Sequence, residues 1–155
     1  MTNLGDQEWV GGRIVVGVDG SPSSLAALEW ALGQAELTGA SIDVVGAWGF
    51  PIYFGEPNLW PIDIDLESIV RHQLETALDR VVPRGAKVAI RVLIRRTSPA
   101  VALLEEARGA QLLVVGTKGH GELAEMLLGS VSLRCVAHAP CPVVVVRAPR
   151  PALAS

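Results

Sequence analysis

The stretch Arg13-Ile14-Val15-Val16-Gly17-Val18-Asp19-Gly20-Ser21-Pro22 decides the fold. Its first half is apolar at consecutive positions. Both sides of the segment therefore seek cover, which is the habit of a strand inside a parallel sheet. Its second half ends on serine followed by proline, the pattern of a helix N-cap and first helical residue. Leu25, Leu28, Leu32 and Ala35 then fall on one helical face, and Gly39 closes the segment. A buried strand feeding a helix is half of a βαβ unit.

The same alternation continues down the chain. Apolar runs at 13–19, 41–48, 87–94, 111–116 and 142–147 read as five strands. Leu66, Ile69, Val70, Leu74, Ala77, Leu78 and Val81 repeat at helical spacing and stop before Pro83. A third helix is expected from Ser98-Pro99 through Leu103, Leu104 and Ala107 to Gly109. A fourth is expected from Ser130 through Leu133 and Val136 to Pro140. The order β-α-β-α-β-α-β-α-β predicts one α/β domain over 13–147, with right-handed crossovers and about four flanking helices. Residues 1–12 and 148–155 read as tails. The connection 49–64 carries Phe50, Tyr53, Phe54 and Trp60. It reads either as a surface loop folded against the sheet edge or as a lid or subunit contact beside a ligand.

Composition narrows the function. Of 155 residues, 50% are hydrophobic and 19% charged, too apolar a balance for a disordered chain. The net charge of −3 leaves no broad basic face for a nucleic-acid backbone. No apolar run approaches the roughly 18 residues of a membrane span, and the first residues show no secretory pattern, so a cytoplasmic protein is expected. Cys135 and Cys141 are then expected to be reduced thiols.

The chemistry concentrates in Gly116-Thr117-Lys118-Gly119-His120-Gly121 and in Gly129-Ser130-Val131-Ser132. Three glycines follow a buried strand at its carboxyl end, the edge where open α/β sheets bind ligands. Glycines let main-chain amides approach an anion, and Gly129-Ser130 opens a helix whose free amides suit phosphate. Ser130 and Ser132 add hydroxyls, and Lys118 adds a positive charge. The alternative is a glycine-rich turn with no ligand. Neither a Walker A loop nor the G-x-G-x-x-G fingerprint is present. Asp19, at the tip of the first strand, either braces its turn, or orients a ribose or base, or holds Mg2+ through water. His120 reads as a solvated loop histidine or as a general base. No nucleophile elbow makes a triad of Asp19, His120 and Ser130, and Cys135, His138 and Cys141 make a poor zinc site. No catalytic residue and no metal ligand is assigned.

These residues resemble a known family. Gly116-x2-Gly119-x9-Gly129-Ser130 resembles the nucleotide motif of the universal stress proteins. The segments 14–21, 112–116, 127–132 and 139–146 are similar to that family's first strand and closing half, in order and spacing. The resemblance covers residues 12–147 and implies a Rossmann-like sheet of order 3-2-1-4-5. It implies an ATP-binding member, a regulatory or stress-response module that binds ATP with Mg2+ and hydrolyses it slowly at most. By position, Asp19 would sit beside base and ribose, Gly17 would shape the same turn, and Ala47 would offer backbone to adenine. Gly116 and Gly119 would admit the triphosphate, and Gly129, Ser130 and Val131 would hold it. A homodimer through Val143, Val144, Val145 and Val146 is implied, with a regulatory protein partner of unknown identity. Thr97 and Glu122 stand where the family often has glycine. The rival functions are an ATPase or phosphotransfer enzyme using the same cleft, and a cyclic-AMP binder. The sequence shows no arginine finger and no evident water-positioning Gln or Glu.

Overall fold

The computed structural model describes residues 12–49, 65–119 and 127–149. The strands are β1 (Arg13–Gly17), β2 (Ser41–Trp48), β3 (Ile90–Arg96), β4 (Leu112–Gly116) and β5 (Val143–Val146). The helices are α1 (Pro22–Thr38), α2 (Leu66–Val81), α3 (Pro99–Glu106) and α4 (Ser130–His138). All strand pairs are parallel and the order is β3-β2-β1-β4-β5. Strand order reverses between β1 and β4, which opens a crevice at their carboxyl ends.

Alternation along the strands builds two cores. Ile14, Val16, Ile42, Val44 and Val114 meet Ala27, Leu28 and Ala31 of α1 and Leu74 and Ala77 of α2. Val15, Val45, Leu113 and Val115 meet Ala102 and Leu103 of α3 and Cys135 of α4 on the other face. Both faces are apolar because both are covered, which is why these strands read as unbroken runs. The helix starts follow the serine-proline pairs: Ser21 and Ser98 are N-caps, with proline next in each case. Gly39 ends α1 in the left-handed region at φ 78°, where a side chain would be strained.

Four readings of the sequence are corrected. The third strand lies at Ile90–Arg96 rather than 87–94. Arg91 and Arg95 belong to it because each finds a carboxylate. Arg91 pairs with the buried Asp43 at 2.8 Å, and Arg95 pairs with Glu105 at 2.9 Å and with Glu106. Arg13 also reaches Asp43, at 3.1 Å, and donates to the carbonyls of Glu106 and Arg108 at the end of α3. The first strand stops at Gly17, because the Asp19 side chain takes the Ser21 amide and turns the chain. Ile69 of α2 is 48% exposed, although its spacing marks it as core. Leu133 and Val136 of α4 are 52% and 51% exposed, and the residues α4 buries are Ser132 and Cys135. α4 packs against α3 and β5 through Val131 and Cys135 and leaves Leu133 and Val136 outward.

Candidate functional site

A cleft of about 740 Å³, counted out to its open mouth, lies at the β1/β4 crevice. One part of its wall is apolar and comes from Val45 and Ala47 at the end of β2, Val70 of α2, Pro99 and Leu103 of α3, and Val115. The polar part comes from Asp19, Ser21 and Ser24 at the start of α1, from Lys118 and Gly119 after β4, and from Gly129 and Ser132 at the start of α4.

Local hydrogen bonding decides which of these groups are available. Asp19 Oδ1 accepts from the Ser21 amide at 2.9 Å, and the Asp19 amide donates to Ser24 Oγ at 3.3 Å. Ser24 Oγ donates in turn to the Ser21 carbonyl at 3.0 Å. Ser21 Oγ accepts from the Ser24 amide at 3.4 Å and donates to the Lys118 carbonyl at 3.3 Å. At the start of α1 the Ser24 amide is thus capped from within, and Pro22 has no amide to offer. Across the cleft, the Thr117 amide donates to the Val146 carbonyl at 3.1 Å, and the Gly129 amide to the Thr117 carbonyl at 2.6 Å. The Lys118 amide donates to Ser23 Oγ at 3.3 Å. Ser132 Oγ donates to the carbonyls of Thr117 and Gly129 at 2.9 and 3.0 Å.

Three amides of the motif are therefore turned inward. The first helical amides of α4, those of Ser130, Val131 and Ser132, lie ahead of the first intrahelical bond, Leu133 to Gly129. Gly129 gives them no side-chain cap. They have no acceptor among the described residues, and the positive end of the helix dipole adds to their pull on an anion.

The motif glycines do different work from that expected. A Cβ on Gly116 would lie 2.7 Å from the Ser23 carbonyl carbon and 2.8 Å from the Ser24 nitrogen. Gly116 admits α1 to the sheet and also lines the cleft. A Cβ on Gly17 would meet Leu103 Cδ1 at 2.9 Å, so Gly17 admits α3. At Gly119 a Cβ would stand 2.8 Å from Asp19 Oδ2, on the cleft wall itself.

Of the residues singled out from the sequence, Gly17, Asp19, Ala47, Gly116, Lys118, Gly119, Gly129, Val131 and Ser132 line one cleft. Ser130 is exposed at the helix start beside it. His120, Gly121 and Glu122 lie outside the described residues, as do Phe50, Tyr53, Phe54 and Trp60. Sequence reasoning missed Ser21, Ser24, Val70, Gln73 and Leu103, each on a helix whose approach to the cleft is a tertiary fact. For Ser21 and Ser24, a serine cluster after the strand tip was the available signal. Gln73 brings to the cleft the kind of carboxamide that the sequence did not reveal.

The sequence model of the Universal stress protein family matches residues 12–147. A universal stress protein of Mycolicibacterium smegmatis is 38% identical over 135 residues, covering 86% of this chain and 45% of that protein. The chain spans about half the length of that relative. A universal stress protein of Thermus aquaticus is 36% identical over 143 residues, covering 86% of this chain and 97% of that one. Among solved structures, a universal stress protein in complex with cAMP superposes with a TM-score of 0.65 at 30% identity, over 89% of this chain and 98% of that chain.

Proposed function

The chain belongs to the universal stress protein family, and on that premise we propose that it is a regulatory, stress-response module that binds ATP with Mg2+ in the cleft above β1 and β4. The observation that carries this reading is the cleft's run from an apolar wall to a helix start whose first amides have no acceptor among the described residues. The base lies against Val45, Ala47, Val70 and Leu103. The ribose comes beside Asp19, and the phosphates meet Gly119 and the amides of Ser130, Val131 and Ser132, with Lys118 adding charge. The relative in complex with cAMP supports an adenine ligand.

The donor set fits a metal that arrives on the phosphates. Among the described residues no three His, Cys, Asp or Glu side chains converge. A phosphate-borne Mg2+ needs only one carboxylate, through water, and Asp19 is the acidic side chain on the cleft wall among the described residues. Bound there, Mg2+ would offset phosphate charge.

Hydrolysis is slow in this reading, because no arginine lines the cleft among the described residues. Gln73, on the cleft wall, favours the second reading, an ATPase or phosphotransfer enzyme. The cAMP-bound relative favours a third, a cyclic-nucleotide binder. The nucleotide-binding unit is residues 13–147. It forms a homodimer through β5, whose four valines stand half-buried at the sheet edge, with Leu133 and Val136 of α4 exposed as further apolar surface. We place it in the cytoplasm, acting on a protein partner still to be found. Among the described residues no helix is long and apolar enough to cross a membrane.

Native mass spectrometry of the unwashed protein tests ligand and subunit number together. Intact ATP on a dimer supports the module, whereas a bare monomer that ATP does not titrate refutes it. Turnover of several ATP per second that disappears in Asp19→Ala would move the protein to the enzyme class. Tighter binding of cyclic AMP than of ATP would move it to the third reading.

A further inference from the structure

Ser23 belongs to no motif read from the sequence and does not line the cleft, yet its hydroxyl holds the cleft's second wall. It is 4% exposed. Its Oγ donates to the Lys118 carbonyl at 2.6 Å and accepts from the Lys118 amide at 3.3 Å. One hydroxyl can do both, having one donor and two acceptor sites. The two bonds grip the main chain of a single residue 95 positions away. The grip is close because Gly116, just below, has no Cβ. A Cβ there would lie 2.7 Å from Ser23's own carbonyl carbon.

We infer that Ser23 is a positioning residue for the phosphate end of the cleft, an assignment that rests on the nucleotide reading above. By drawing the Lys118 amide and carbonyl inward, it fixes the main-chain direction entering Gly119 and keeps that residue against the Asp19 carboxylate. The apolar end, built from β2, α2 and α3, does not depend on this clasp. The loss of Ser23's hydroxyl should therefore weaken contacts to phosphate and spare contacts to the base. Ser21 Oγ, at 3.3 Å from the same carbonyl, retains only the carbonyl side of the grip.

The test is Ser23→Ala, with affinities for ATP and for adenosine measured by displacement of a fluorescent adenine nucleotide. Alanine is a strong helix former, and the position is in the first turn of α1. The expected result is about a tenfold loss of ATP affinity with less than about a twofold change for adenosine. Equal losses for both ligands would reduce Ser23 to a general structural role and overturn the inference, as would no loss for either. If the unmodified chain binds neither ligand, the nucleotide reading fails and this assignment fails with it. Hydrogen exchange in the unmodified chain provides a reading that does not depend on the variant folding. A slowly exchanging Lys118 amide supports the clasp, and a freely exchanging one overturns it.

Discussion

Two strand-to-helix junctions meet at the same cleft in opposite states. At the β1–α1 junction the Ser21 side chain caps the Ser24 amide, Ser24 Oγ returns to the Ser21 carbonyl, and Pro22 has no amide to offer. Asp19 adds a carboxylate in front of that helix. At the β4–α4 junction a glycine occupies the cap position, no side chain caps the helix, and no proline follows. Both helices point their positive ends at the crevice. The second leaves all three of its first amides, those of Ser130, Val131 and Ser132, without an acceptor among the described residues, and no carboxylate precedes it in the way Asp19 precedes α1 among those residues. The difference teaches that an anion belongs at α4, while α1 supplies the rigid wall and the acid that faces it.

The largest effect should come from joining the two junctions where they nearly touch. Gly119→Val places a branched side chain where a single Cβ already lies 2.8 Å from Asp19 Oδ2. ATP affinity should fall at least about a hundredfold, with the far-ultraviolet dichroism unchanged. Unaltered affinity would detach the glycine loop from the site. Next comes Gly116→Ala, whose Cβ meets main-chain atoms of α1. It should cost about 1–3 kcal/mol of stability, read as a lower denaturation midpoint, because backbone yields less readily than a side-chain tip. A neutral result would mean that α1 is free to retreat from the sheet.

A smaller effect separates the capped junction from the open one. Ser21→Ala should cost about 1 kcal/mol in urea denaturation by removing the α1 cap, whereas Ser130→Ala, on the exposed and uncapped side, should cost little. Equal costs would erase the distinction. The smallest effect concerns the thiols beneath α4. Burial pushes the Cys135 thiol up to about 11 from its ordinary 9.0, and raises that of Cys141 as well. A raised thiol keeps its proton in the folded state after the unfolded chain has released it. Its contribution is complete below pH 9.0 and lost between there and about 11. Alkylation at pH 8 followed by mass spectrometry should mark the half-buried Cys141 before the buried Cys135. The reverse order would mean that α4 opens readily.

Much of this architecture is legible in the sequence wherever a local rule is decisive. Ser21-Pro22, Ser98-Pro99, Gly39 and the stop before Pro83 place helix ends within a residue or so. Val143–Val146 announces its strand by β-branching alone. Apart from the end of β1, which the local Asp19–Ser21 bond sets, the misreadings share a source: packing between separate segments. Arg95 falls past the expected end of its strand until Glu105 and Glu106 are seen opposite it. Leu133 and Val136 look like core because periodicity reports an apolar face but not whether anything covers it. The candidate site divides in the same way. The glycine motif located it, but spacing does not show that Gly116 also makes room for α1 while Gly119 faces Asp19. Ser23 is not set apart from its serine neighbours by any local feature, and Gln73 carries no local mark at all.

The most direct measurement is a nitrogen-15 amide spectrum of the chain titrated with ATP and Mg2+. The account predicts the largest shifts at Ser130, Val131, Ser132 and Gly119, with Ser24 and Leu25 at the start of α1 nearly still. Shifts centred on the first turn of α1, or none at the start of α4, would contradict it.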